Sequence, residues 1–79
     1  MNDSKTIEIG FLIFPGFPMA CLTSIIEPLR AANEIVGSTV FDWHVISETG
    51  APTTSSARVV FEPEAVLSDV SSVGMLFVL

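Results

Sequence analysis

The sequence has one cysteine, one histidine and three basic residues, and each scarcity removes a class of function. A lone cysteine, Cys21, forms no internal disulfide, which fits a reducing compartment. Nucleic-acid binding draws most of its affinity from Lys and Arg on phosphates. Lys5, Arg30 and Arg58 are scattered, the net charge is −6, and this stretch is therefore not expected to bind DNA by itself. His44 has no Cys or second His at metal-ligand spacing and is read as a structural mid-strand histidine, so no metal and no cofactor are expected. No apolar stretch reaches the ~18 residues that span a bilayer. Met1–Lys5 lacks the charge pattern of a signal peptide. A cytoplasmic protein without a membrane partner follows. There is no GxGxxG, P-loop or GxSxG motif, no repeat and no low-complexity segment.

What is present is apolar. Hydrophobic residues make up 49% of the chain and charged residues 15%, which is too apolar for disorder and rich for an isolated small domain. The final run, Gly74-Met75-Leu76-Phe77-Val78-Leu79, reads as a strand buried on both faces. Nothing follows to cover Phe77 or Leu79, and a bare apolar strand invites aggregation. The expectation is a fragment of a longer protein, not stable as a monomer on its own.

Ile7, Ile9, Phe11 and Ile13 alternate with Glu8, Gly10 and Leu12, so residues 7–13 read as a strand. Phe14-Pro15-Gly16-Phe17-Pro18 is a tight loop. Residues 19–36 read as a helix with a stripe of Leu22, Ile25, Ile26, Leu29, Ala32 and Val36, and with Gly37 as its cap. Pro28 either kinks this helix or starts a second one; the stripe keeps phase across it, which favours one helix. Residues 41–47 read as a second strand, 49–52 as a turn, 57–61 as a short strand or hairpin arm, and 64–70 as a short helix. Strand–helix–strand alternation implies a parallel sheet with right-handed crossovers, and ligands then bind at the carboxyl ends of strands.

Loop 14–18 and the helix start occupy that position. Phe14, Gly16, Phe17 and Met19 are therefore the candidate ligand-binding residues. Phe17 is read either as pocket or as core, and its ring could make a cation–π contact with a quaternary amine. Cys21 reads as a small buried hydrophobe rather than a low-pKa thiolate. Trp43 reads as core. Glu62 and Glu64 flank Pro63 and read as solvated carboxylates rather than an acid–base pair.

Three segments, Ile9-Gly10-Phe11-Leu12-Ile13-Phe14-Pro15-Gly16-Phe17, Glu27-Pro28-Leu29-Arg30-Ala31-Ala32-Asn33 and Phe41-Asp42-Trp43-His44-Val45-Ile46-Ser47, carry a family resemblance. Together they resemble the amino-terminal, amidotransferase-like (DJ-1/PfpI-like) sensor domain of AraC-type transcriptional regulators. The resemblance covers nearly all of residues 7–79. It implies an α/β, flavodoxin-like three-layer sandwich with a parallel sheet, of the class I glutamine amidotransferase-like kind, with its amino-terminal half in residues 1–79. It further implies a small-molecule effector (an amine or amino acid), a homodimeric parent, and DNA contacts only through a carboxy-terminal helix-turn-helix domain absent from this chain. Enzymatic relatives carry a glutamate at the start of the first helix, where this sequence has Met19. A thioether takes no proton, so the resemblance implies a sensor and not an enzyme, with no catalytic residues. The competing readings are a fragment of an amidotransferase-class hydrolase or glyoxalase, and a stand-alone interaction module.

Overall fold

The computed structural model describes residues 6–70 and 73–79. Strand β1 (Ile7–Leu12) leads through a tight turn to helix α1 (Met19–Val36), which returns the chain to β2 (Phe41–Ser47). Two short strands follow, β3 (Thr53–Thr54) and β4 (Val60–Phe61), then β5 (Ala65–Val66), a 3₁₀ turn at Leu67–Asp69, and β6 (Met75–Val78). The main sheet has four strands in the order β5-β2-β1-β6, and every pair is parallel. Strands β3 and β4 form a separate antiparallel hairpin. The parallel sheet is the one that the alternation of elements implies, and with α1 as a helical layer on one face it is the α/β, flavodoxin-like arrangement that the resemblance implies.

Strand β1 is the middle of the sheet. Ile9 lies between Trp43 and Met75, and Phe11 between Val45 and Phe77. Side chains alternate across a strand, so Ile9, Phe11 and Ile13 face α1. There they form the buried core with Phe17 and Leu22, and Met19, Ile25, Ile26 and Leu29 of α1 pack against it. Phe11 and Phe77 stack at 5.4 Å. Trp43 is half-buried against the same cluster. The opposite face carries Glu8, Gly10 and Leu12 of β1 with Asp42, His44 and Ile46 of β2.

Helix α1 runs unbroken through Pro28, and Gly37 caps it in the left-handed region, its N–H on the Asn33 carbonyl. The stripe keeps its phase to the end, but packing stops at Leu29: Val36 is 61% exposed. Cys21, one residue off the stripe, is exposed rather than buried as its neighbours suggested. Arg30 binds both Glu27 and Glu34, at 2.9 and 2.8 Å. Lys5 and the rest of the amino-terminal segment read for targeting lie outside the described residues. Among the described residues, no helix is long and apolar enough to cross a membrane.

Asn33 fastens the helix to the sheet. Its side-chain amide donates to the Phe41 carbonyl at 2.9 Å, and its oxygen accepts from the N–H groups of Val40 and Phe41 at 2.9 and 3.0 Å. The Phe41 groups open β2, and the Val40 N–H also reaches the Ser38 carbonyl at 3.1 Å.

Two expected elements differ. Residues 64–70 are helical only as a 3₁₀ turn at Leu67–Asp69: Ala65 and Val66 pair with Ile46 and Ser47 as a strand. An available strand edge outweighs a weak helical preference over so short a stretch. The run 74–79 forms a strand, as read, but one at the edge of the sheet and not buried on both faces. Leu76 and Val78, on the face of Gly10 and Leu12 away from α1, are 43% and 63% exposed.

Two stability outcomes follow. Asn33→Ala removes the side-chain partner of the Phe41 N–H and carbonyl and lowers unfolding stability by about 1–3 kcal/mol, read by urea titration. Phe17→Ala empties a buried site and costs about 3–5 kcal/mol in the same assay.

Candidate functional site

The loop after β1 is a four-residue turn. The Phe17 N–H donates to the Phe14 carbonyl at 3.0 Å, with Pro15 second and Gly16 third. Gly16 has φ 84°, so this is the type II pattern, in which proline sets one torsion and glycine supplies the left-handed one. The β3–β4 hairpin straps this turn down. The Gly16 N–H donates to the Thr54 carbonyl and the Ser56 N–H to the Phe17 carbonyl, both at 2.8 Å. Phe17 and Phe61 meet edge to face at 5.1 Å.

The loop after β2 is held by its own side chains. Ser47 is buried, and its hydroxyl accepts from the Gly50 N–H at 2.7 Å and donates to the Ala51 carbonyl at 3.4 Å. Thr53, also buried, donates to the same carbonyl at 3.2 Å. Between the two loops lies an open concavity of about 240 Å³, lined by Ile13, Phe14 and Pro15 from one side and by Ser47, Glu48, Thr49, Ala51, Pro52 and Thr53 from the other. It sits at the carboxyl ends of β1 and β2. The strand order reverses instead between β1 and β6, where this architecture most often binds ligands. The concavity is therefore beside the switch point.

The four residues singled out from sequence take different positions. Phe14 lines the concavity. Gly16 is exposed at the turn. Phe17 is 3% exposed and belongs to the core behind the loop. Met19 is half-buried against that core. Glu48 was not singled out, because nothing in the sequence marks a carboxylate that a loop will bring to the same hollow as Phe14. Cys21 rides on α1 and His44 points from the other face of the sheet, so the two form no nucleophile–base pair.

His44 is not the isolated histidine its sequence neighbours suggested. Its Nε2 lies 2.6 Å from Glu8 Oε1 and 3.5 Å from Asp42 Oδ2, and its Nδ1 lies 3.5 Å from Glu64 Oε2. The hydrogen bond to Glu8 raises its pKa above the ordinary 6.5, burial opposes this, and Glu64 and Asp42 add to the rise. Glu64 is not merely solvated, since its carboxylate also accepts from the Val45 N–H at 3.2 Å. Glu8, Asp42 and His44 offer polar atoms within 4.8 Å of one another. The short Nε2···Oε1 contact is a hydrogen bond to the Glu8 carboxylate when Nε2 carries the proton. Sequence spacing missed it because the parallel register, not proximity in the chain, sets Glu8 opposite Asp42.

The chain is 33% identical over 71 residues to the HTH-type transcriptional regulator GbdR of Pseudomonas aeruginosa, covering 90% of this chain and 19% of that protein. It is also 33% identical over 71 residues to the HTH-type transcriptional regulator CdhR of the same species, covering 90% of this chain and 21% of that protein. The chain thus spans about a fifth of the length of the curated relatives it matches. No family model and no solved structure matches it. Its relatives are, by name, helix-turn-helix transcriptional regulators.

Proposed function

We propose that this chain is part of the effector-binding and dimerisation domain of an AraC-type transcriptional regulator of amine or amino-acid catabolism. The observation that carries the reading is the 33% identity to two HTH-type transcriptional regulators along 90% of the chain, beside a fold in this chain whose strand-end loops enclose a hollow. The DNA contacts belong to a helix-turn-helix domain elsewhere in the whole protein, which acts in the cytoplasm as a homodimer. The domain has no catalytic role. Met19 at the helix start supplies no base, and Cys21 and His44 lie on opposite sides of the sheet.

The effector occupies the concavity between the loops after β1 and β2. Phe14 presents an aromatic ring there and Glu48 a carboxylate. An aromatic face and an anion together suit a cation, and the aromatic share is worth about 0.5–2 kcal/mol. The loops are fixed beforehand by the Pro15–Gly16 turn and the Ser47 and Thr53 hydrogen bonds, which lowers the ordering cost of binding. Phe17, behind the turn, supports Phe14 from the core.

Calorimetric titration of the full-length protein with small quaternary amines and amino acids tests this. Phe14→Ala and Glu48→Gln each weaken binding about tenfold, equivalent to about 1.4 kcal/mol. Operator affinity without effector stays unchanged. Variants that bind as tightly as the unaltered protein place the effector elsewhere.

A further inference from the structure

The carboxylate cluster lies toward the amino ends of β1 and β2, away from the concavity. Glu8 and Asp42 are register partners on adjacent parallel strands, so two like charges face each other, an arrangement that destabilises a strand pair. The imidazole of His44 sits against both. A third carboxylate, Glu64, arrives from much later in the chain. The chain leaves the sheet after Ser47 and returns at Glu64, whose N–H donates to the Val45 carbonyl at 2.8 Å. Contacts at Glu64 therefore close the base of residues 48–63, which begin with one wall of the concavity.

The two protonation states of His44 are not equivalent here. Imidazolium has two N–H donors, one for Glu8 and one for Glu64. Neutral imidazole has one. With the proton on Nε2 toward Glu8, Nδ1 presents a lone pair to the Glu64 carboxylate, and the contact turns repulsive. We propose that His44 is a proton-operated clasp, which when charged holds Glu8, Asp42 and Glu64 together and locks the returning chain onto β2, and when neutral releases Glu64 and loosens residues 48–63.

The groups facing the imidazole are Glu8 from β1, Asp42 from β2 and Glu64 from the link before β5, all acidic. No basic side chain joins the cluster among the described residues. The sign follows. The folded pKa of His44 lies above 6.5, so the clasp contributes fully below pH 6.5 and is lost as pH rises through the folded value. The imidazole is a third exposed, so solvent screens the charges and the effect is local loosening rather than global unfolding. The clasp is independent of the effector reading, because the groups it uses lie outside the concavity.

The test is NMR on the full-length protein between pH 5.5 and 8.5, following the His44 imidazole and the amide exchange of Val45 and Glu64, corrected for intrinsic pH dependence. The expected result is a His44 pKa above 6.5 and several-fold loss of protection at both amides as that group titrates. Glu8→Gln lowers the His44 pKa and moves the loss of protection with it. In His44→Gln the pH dependence at Glu64 disappears. A His44 pKa at or below 6.5, protection at Glu64 that does not follow the His44 titration, or a Glu8→Gln variant with an unshifted transition overturns the clasp. Restoration of protection at pH 8 by zinc would assign the cluster to a metal instead and overturn it equally.

Discussion

Both edges of β1 are hydrogen-bonded, to β2 on one side and β6 on the other, and its residues from Ile9 to Leu12 are buried. A backbone so enclosed has to meet its polar groups within the sheet, because water cannot reach them. Gly10 allows Ile46 and Leu76 to close over the middle of the strand, where a Cβ would lie only 2.9 Å from the Ile46 methyl and 3.1 Å from that of Leu76. Phe11, with no exposed surface, anchors the opposite face. The ladder continues past the strand through the Ile13 N–H on the Ile46 carbonyl and the Leu79 N–H on the Leu12 carbonyl. This extended pairing fixes where the turn at Phe14–Phe17 emerges, and through it where α1 begins.

The two ends of the sheet have opposite chemistry because the strands are parallel. Toward the carboxyl ends, β1 runs through Leu12 into Ile13 and β2 through Ile46 into Ser47, all buried, and the chain hands over to loops that enclose a hollow. Toward the amino ends, one face carries Glu8, Asp42 and His44. A parallel register aligns like ends with like, so charges clustered near one end of two strands must be reconciled locally. Here a single imidazole does so. The excursion 48–63 leaves β2 at the hollow and returns to its carboxyl-terminal half, with Glu64 on Val45 and its carboxylate reaching back to His44.

Helix α1 was legible because eighteen residues carry a repeating stripe and end on Gly37. The extent of β1 and β2 and their parallel sense were equally plain from alternation and connectivity. Strands of two residues have no period to read, which is why Ala65–Val66 passed for helix and Thr53–Thr54 was not resolved from its surroundings. Burial was less legible than element type. Phe17 is core, Cys21 is exposed, and the β6 run lies at an edge, because each depends on what packs from another part of the chain. The candidate site was legible only in position: the loop after β1 forms one side of the hollow, while Glu48 and the loop after β2 form the other. The His44 cluster required the strand register, which no local pattern encodes.

The central claim is that the loops after β1 and β2 form the effector-binding face of a regulator. Hydrogen-exchange mass spectrometry of the full-length protein, with and without an effector found by screening amines and amino acids, tests it most directly. Added protection concentrated in residues 13–18 and 47–53 is the predicted footprint. A footprint that leaves both segments unchanged while protecting residues elsewhere would contradict the account.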